Sequence, residues 1–313
     1  MELKERIKRP PLKEQLASHY RQKDFTVSKA AVQSSVSTAG IVVYWAMTFF
    51  LLYESLFIIV PDLYKGEYDK QLLMKILIGL TFFVCTLNWF AIKQGFGNGV
   101  RPSDKTKYFE DCLQQMTPSG WRNCPKCQLD APPRSHHCNL CGKCVLKRDH
   151  HCFITGSCVG FYNQRFFVFF CLYMVWANAL AAYLQISYLN KSVPIFSSST
   201  INFLFPVALF NFITGTLSFM TLVVVLSVYI CLVLAGLGLF FFSWHVLLSA
   251  QGITSHEAWK KIRPYGNNNI LTNLRSVFGP LKYLPLTLLF PFRVDQIGDG
   301  IYWEPRRKSV KGN

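Results

Sequence analysis

The chain has 313 residues, 51% hydrophobic and only 16% charged, with a formal net charge of +16. An ordinary soluble domain carries about 25% charged residues, so the composition excludes a typical water-soluble protein and fits a membrane domain with one small added module. Eleven cysteines would suit a secreted disulfide scaffold, but the first 35 residues are polar and basic, without the apolar core and cleavage site of a signal peptide.

Residues 1–36 read as a basic, polar tail. From Gly40 to Val60 the chain is apolar for about 20 residues, enough to cross a hydrocarbon core of about 30 Å, and carries one acid, Glu54, near its end. A short linker, Pro61 to Lys70, precedes a second apolar run, Leu72 to Ile92, whose Lys75 lies close enough to the start to snorkel to the interface. Residues 37–92 therefore read as two spans. Residues 93–165 are polar and contain most of the cysteines, and Phe166 to Leu189 is a third span. Ile201 to Leu248 is apolar for nearly 50 residues, too long for one span, and Pro206, Asn211, Thr214, Gly215 and Thr216 break its first part. Either 201–217 is a re-entrant or interfacial piece and Thr221 to Phe242 the fourth span, or both pieces cross.

Charge favours the first reading. Residues 1–36, 93–165 and 251–313 hold 29 of the 33 Lys and Arg residues, while the linkers 61–71 and 190–200 hold 2 and 1. Excess Lys and Arg mark cytosolic segments. Both tails and the cysteine-rich loop on one side require an even number of spans. The fold class expected is an all-α polytopic membrane protein, with four transmembrane helices and a cytosolic zinc-binding cysteine-rich domain (93–165) between helices 2 and 3. Residues 166–250 then hold the third span, an apolar lumenal-side segment and the fourth span, and 251–313 form a cytosolic C-terminal region. The positive charge reads as retention at an anionic leaflet, about 1 kcal/mol per basic residue held near it, rather than as nucleic-acid binding. Asn190-Lys191-Ser192 is a glycosylation sequon at the end of the third span. Leu281 to Phe292, with Pro285 and Pro291, is too short to span and reads as interfacial. No internal repeat is evident in the sequence.

Seven cysteines and four histidines fall within the 35 residues from Cys124 to Cys158. Cys124 and Cys127 form a C-x2-C pair, whose short turn aims two thiolates at one tetrahedral zinc. His136, His137, Cys138, Cys141, Cys144, His150, His151, Cys152 and Cys158 follow. Pro125, Pro132, Pro133, Arg134, Lys143, Lys147 and Arg148 leave too little apolar material for a core, so metal must hold the loop; structural zinc supplies on the order of 10 kcal/mol. Cys85, Cys171 and Cys231 lie in apolar runs and read as small buried hydrophobes. Cys112 has no assigned role.

Two closed sites would use eight of the eleven clustered ligands, and closed sites leave no position for substrate. Chemistry therefore needs a ligand left over. In an extended segment, residues two apart share a face, which puts His150 with Cys152 and sends His151 the other way, toward a metal. A histidine beside a thiol favours the reactive thiolate, and Asp149 could orient that histidine if the backbone bends ahead of the strand. The spacing also admits Cys152 and His150 as further zinc ligands.

The stretch Cys124-Pro-Lys-Cys127, Pro133-Arg134-Ser135-His136-His137-Cys138, Cys141, Cys144, Lys147-Arg148-Asp149-His150-His151-Cys152, Cys158-Val159-Gly160, Asn163 and Phe166-Phe167 closely resembles the DHHC protein S-acyltransferases, or palmitoyltransferases. The resemblance implies that Cys152 takes an acyl group from palmitoyl-CoA or another long-chain acyl-CoA and passes it to cysteines of cytosolic or membrane substrate proteins, with His150 as base and Asp149 orienting it. It also implies one zinc on Cys124, Cys127, His137 and Cys144, a second on Cys138, Cys141, His151 and Cys158, and an acyl chain housed between the spanning helices. His136 is left without a role. Thr254-Ser255-His256-Glu257 looks like the family's TTxE motif, with Ser255 keeping the hydroxyl that contacts the catalytic Asp, and Asn273 resembles the conserved C-terminal asparagine. The implied location is the Golgi or endoplasmic reticulum. Phe153-Ile154 stands where the family has Pro-Trp, Gly156-Ser157 where it has an Asn pair, and no DPG follows the second span. The competing reading is a zinc-stabilised membrane scaffold or adaptor without turnover.

Overall fold

The structure, a computed structural model, describes residues 12–105, 120–192, 198–263, 265–292 and 294–306. Cys112, residues 1–11 of the basic tail and residues 307–313 lie outside the described residues. Among the described residues four helices are long and apolar enough to cross a bilayer: Ser34–Leu63, Tyr68–Gln94, Gln164–Lys191 and Phe219–Gln251. The chain is a four-span membrane protein with its cysteine-rich module between the second and third spans.

Helix α1 (Leu12–Tyr53) begins far upstream of the apolar run, inside the segment read as a tail, because no Gly or Pro interrupts Leu12 to Ala39. It continues through a π-helical segment, Glu54–Ile59, into α2 (Val60–Leu63). Glu54 is almost fully buried; its carboxylate accepts from Gln185 Nε2 at 2.8 Å and Ser227 Oγ at 3.1 Å. An acid near the end of a span thus points into the bundle and ties three spanning helices together, as polar groups at membrane depth require. Helix α3 (Tyr68–Gln94) stops at left-handed Gly95. Helix α4 (Gln164–Ser192) packs most extensively against α6 (Phe219–Gln251).

Residues 201–217 form the end of a 3-10 segment (Ser198–Phe203) and the nine-residue helix α5 (Phe205–Ile213). Nine residues rise about 14 Å, so this piece does not cross and the two-span alternative fails. Pro206 sits in its first turn and Gly215, at φ 76°, follows its end. Beyond α6 come α7 (Ser255–Trp259), α8 (Ile270–Phe278) and α9 (Leu284–Leu289). Val277 and Phe278 of α8 pack on Val168 and Phe169 of α4, and the Arg165 guanidinium donates to the Phe292 carbonyl at 2.6 Å. The Leu281 to Phe292 stretch is thereby pinned at the start of α4.

The cysteine-rich module is three antiparallel hairpins: β1 (Arg122–Cys124) with β2 (Leu129–Ala131), β3 (His136–Cys138) with β4 (Lys143–Val145), and β5 (His150–Cys152) with β6 (Ser157–Val159). Their registers are equivalent, pairing Cys124 with Leu129, Cys138 with Lys143 and Cys152 with Ser157. Each turn carries one left-handed residue, Gln128 at φ 49°, Gly142 at 64° and Gly156 at 60°. The module is therefore a threefold repeat with a period of 14 residues, which corrects the expectation of no internal repeat. The repeat lies in backbone shape and cysteine position, and its intervening residues differ too much to reveal it by composition.

Candidate active site

The repeat explains the ligand arithmetic. The first two hairpins each end their leading strand on a C-x2-C pair, Cys124/Cys127 and Cys138/Cys141. The next hairpin supplies a histidine one residue before its own leading cysteine and a cysteine six residues after it. The ligand atoms of Cys124, Cys127, His137 and Cys144 lie within 4.8 Å of one another, as do those of Cys138, Cys141, His151 and Cys158. In the second set the His151 Nδ1 stands 3.6, 3.4 and 3.7 Å from the sulfurs of Cys138, Cys141 and Cys158, and the Cys141 and Cys158 sulfurs are 3.6 Å apart. Tetrahedral zinc with sulfur at about 2.3 Å and nitrogen at about 2.05 Å sets ligand edges of about 3.8 Å and 3.5 Å. Both sets, three thiolates and one imidazole, fit zinc.

In the third hairpin Cys152 takes the position of Cys124 and Cys138, but Thr155 stands where the second thiol of the pair would be, and among the described residues no fourth hairpin follows. Cys152 is left outside both metal sets. Thr155, fully buried, shares a hydrogen bond with Ser157 Oγ at 3.2 Å and its hydroxyl also donates to the Cys152 carbonyl at 3.5 Å. The 14-residue spacing of Cys124, Cys138 and Cys152 was the sequence signal for this substitution.

Strand β5 points His151 into the second metal set and His150 the other way. Lys147, at φ 43°, turns the chain ahead of β5, and the Asp149 amide donates to the Val159 carbonyl. This bend brings Asp149 beside its neighbour: the Asp149 Oδ2 accepts from His150 Nδ1 at 2.8 Å. The other side of the imidazole is turned to the Cys152 thiol, and the two groups favour each other's charged forms. Asp149 is 4% exposed and Cys152 7%, so the two ends of this chain are shielded from water, while the His150 side chain between them keeps 30% of its surface exposed.

Shielding raises the stakes of every charge. Burial pushes the His150 imidazole down, but hydrogen bonds to Asp149 and Cys152 outweigh it and hold the ring at about 9. Burial likewise pushes Asp149 up, and is overcome by His150, His245 and the Ser255 amide, which hold the carboxyl well below the usual range. Burial raises Cys152, but the His150 hydrogen bond and charge, helped by Thr155, bring the thiol below its ordinary value. The arrangement favours a thiolate beside an imidazolium.

The C-terminal region buttresses this group. The Ser255 backbone N–H donates to Asp149 Oδ1 at 2.7 Å. The expected contact thus runs through the main chain rather than the hydroxyl, because Ser255 is the first residue of α7 and its amide has no partner within the helix. Thr254 and Glu257 form a reciprocal capping box at that helix start. Glu257 also accepts two 2.7 Å bonds from Arg134, whose Nη2 donates again to the Gly252 carbonyl at 3.0 Å and whose guanidinium lies 4.4 Å from the Trp303 ring. Asn273 holds the same turn: its Nδ2 donates to the Ala250 and Asn267 carbonyls, and its Oδ1 lies where a Cβ on Gly252 would fall, 2.5 Å away. Gly252, at φ 69°, is therefore required there. Lys147 is buried too, its ammonium 5.7 Å from the Trp303 ring centroid, and burial with Arg134 nearby brings it down to about 7. Arg134 figured in the sequence only as part of a motif, and Trp303 and His245 gave no local signal, since both reach the site from far along the chain.

His136, left without a role, packs on His256 with ring centroids 4.2 Å apart. Burial first, then the charges of His256, Arg122, Arg148 and Lys260, hold it down at about 3. Basic side chains from three segments thus converge at this edge of the module. On the membrane side, a cavity of about 430 Å³ opens between the spanning helices, lined by Tyr44, Leu52, Ser55, Ile154 and Leu184 among others. It falls in the usual range for ligand cavities, about 300–1,000 Å³. Phe153-Ile154 is the tip of the third hairpin: Ile154 lines the cavity and its carbonyl accepts from the Trp89 indole at 3.2 Å. Gly156 is fixed in this tip by its left-handed φ and by Ile41, which a Cβ would meet at 2.7 Å. Cys85, read as a plain hydrophobe, shares a 3.7 Å hydrogen bond with Tyr44 in the cavity wall.

Residues 118–262 match the family model for the DHHC palmitoyltransferases. The chain is 30% identical over 246 residues to "Probable protein S-acyltransferase 13" of Arabidopsis thaliana, covering 72% of this chain and 76% of that protein. It is 34% identical to "Probable palmitoyltransferase ZDHHC24" of Rattus norvegicus over 59% of this chain and 64% of that protein, and 32% identical to "Palmitoyltransferase ZDHHC20" of Homo sapiens over 59% and 47%. With two metal-ligand sets, a spare thiol joined to His150 and Asp149, and four spanning helices behind them, the chain belongs to the DHHC palmitoyltransferase family.

Proposed function

We propose that the chain is a protein S-acyltransferase that works in two steps through an acyl-enzyme on Cys152. In the first step the Cys152 thiolate attacks the thioester carbonyl of a long-chain acyl-CoA, palmitoyl-CoA in the reading favoured by the family. A new carbon–sulfur bond forms, the bond to the CoA sulfur breaks, and the CoA thiolate takes the proton that His150 had drawn from Cys152. In the second step His150 takes the proton of a substrate-protein cysteine, that sulfur attacks the acyl-Cys152 carbonyl, and Cys152 leaves as the thiolate. Asp149 orients His150 and balances its positive form, the part played by the third group of a triad.

The carrying observation is the contiguous group Asp149–His150–Cys152, its carboxylate and thiol buried and its thiol outside every metal-ligand set, beside an apolar cavity whose wall includes the residue two positions after the nucleophile. The cavity suits the fatty chain. The basic edge around His136 suits the CoA phosphates. Zinc held by Cys124, Cys127, His137 and Cys144, and by Cys138, Cys141, His151 and Cys158, would act as a structural clamp on the hairpins, with no open position for substrate. The concentration of Lys and Arg in the tails and the cysteine-rich loop supports a cytosolic face for all three, and acceptor proteins with cysteines reachable there. The family resemblance alone suggests the Golgi or endoplasmic reticulum.

The test is incubation of detergent-purified protein with palmitoyl-CoA and intact-mass measurement. The wild type gains one hydroxylamine-labile acyl group, and Cys152→Ser gains none while keeping two zinc ions. Thioester-linked acyl label persisting in Cys152→Ser refutes the assignment.

A further inference from the structure

The Asp149 carboxylate has a neighbour that the catalytic motif does not include. His245, near the C-terminal end of the fourth spanning helix, is 2% exposed and turns Nδ1 toward Asp149 Oδ2 at 3.9 Å, the same oxygen that accepts from His150. That Nδ1 makes no hydrogen bond among the described residues. Its ring centroid is 5.4 Å from that of His150, and both rings stand edge-on to Phe167, at 4.8 Å and 70° for His245 and 4.9 Å and 72° for His150. Asp149 thus meets the Ser255 amide and two imidazoles, and both imidazoles pack on one phenyl ring. Leaving a buried imidazole nitrogen unpaired is unfavourable, so an orphan nitrogen beside a catalytic carboxylate calls for a function.

We propose that His245 is a positioning residue for the acyl-transfer group: Nδ1–H is the reserve donor for Asp149 Oδ2 and holds the carboxylate aimed at His150 as the imidazolium forms. This deepens the reading of Cys152 as an acyl-transfer nucleophile and rests on it. Asp149 Oδ1 is fixed by Ser255, but among the described residues Oδ2 has only His150 within hydrogen-bond distance, the group whose charge changes at each step. A second donor on Oδ2 restricts rotation of the carboxylate and lets the pair close up when charge is present. It also couples the membrane helix to the cytosolic site. α6 delivers His245, and Gly252, which caps the same helix, lies three residues before Ser255.

The test compares His245→Asn, whose amide nitrogen can stand near the Nδ1 position, with His245→Gln, which reaches the Nε2 position, and His245→Phe, which fills the ring volume without a donor. Zinc content, melting temperature, Cys152 alkylation by iodoacetamide, and the kcat and KM of self-acylation with palmitoyl-CoA are measured for each. A hydrogen bond to a charged group corresponds to about 10- to 100-fold in rate. His245→Phe is expected to lower kcat by that factor with KM unchanged, with alkylation of Cys152 slowed in parallel. His245→Asn is expected to recover most of the loss and His245→Gln little. A wild-type rate in His245→Phe overturns the proposal, as do equal losses in Asn and Phe variants of unchanged melting temperature, or better rescue by Gln than by Asn. If His245→Phe does not fold, the Asn-against-Gln comparison decides alone. A third zinc in the wild type that is absent from His245→Asn also overturns it, since His245 would then be a metal ligand. Alkylation needs no acyl donor, so failure of the wild type to self-acylate would count against the acyltransferase reading while the alkylation series still decides the role of His245.

Discussion

Glu257→Ala should couple a loss of stability to a loss of catalysis, and the two can be separated. Glu257 and Arg134 expose 5% and 2% of their side chains and share two 2.7 Å bonds. Removing the carboxylate leaves a guanidinium buried without its counter-charge, which costs about 3–5 kcal/mol. The capping box at Thr254 adds about 1 kcal/mol. For a protein of this size that loss corresponds to a fall in melting temperature of about 10 °C. The same helix start presents the Ser255 amide to Asp149, so self-acylation of the surviving folded fraction should also drop, by roughly 10-fold for one charge-assisted bond. Arg134→Met in the Glu257→Ala background removes the uncompensated charge while keeping the volume over Trp303, and should restore most of the melting temperature but not the rate. The assays are thermal melting in detergent and the initial rate of acyl-enzyme formation at a temperature where each variant is folded. If the double variant melts no higher than Glu257→Ala, the desolvation argument is wrong. If the folded Glu257→Ala protein acylates at the wild-type rate, the link from α7 to Asp149 is wrong.

Two more outcomes follow. The protein should contain two zinc ions per chain; Cys127→Ser should lose one of them and melt lower, and a strong chelator should expose the cysteine-rich module to protease, since its hairpins have little apolar core beyond their own ligands. Alkylation of Cys152 tracks its thiolate, and because His150 holds that thiol below its ordinary range, the rate should reach half its plateau below about pH 8.5. His150→Ala leaves burial uncompensated and should move the half-point above that pH; a leftward or unchanged profile would show that His150 does not stabilise the thiolate.

Much of this molecule is legible in its sequence. The four spans follow from runs of apolar residues matched to bilayer thickness, and even the 201–217 ambiguity yielded to Lys and Arg counting, later matched by a nine-residue helix too short to cross. The period-2 argument separated His150 from His151 because strand geometry is local. Other features were not legible. The three hairpins share a cysteine position every 14 residues, a spacing present in the sequence, but their common backbone shape becomes visible only in the strand registers. Ser255 reaches Asp149 through its amide, and a side-chain motif gives no information about an amide. His245, Arg134, Glu257 and Trp303 come from separate stretches, and only burial against one another gives them a common purpose.

Sequence by itself thus determined what depends on neighbours along the chain: membrane crossings, metal-ligand chemistry, and a thiol in excess of what two zinc ions can use. Tertiary structure decided what depends on distance through space. It aimed a carboxylate by a main-chain amide, set a second imidazole beside it, and brought the third hairpin's tip to the wall of an apolar cavity. Desolvation makes that arrangement matter. In the buried site, hydrogen bonds to Cys152, His150 and Asp149 shift their proton affinities far more than they would in water, and burial is a property of the folded chain as a whole.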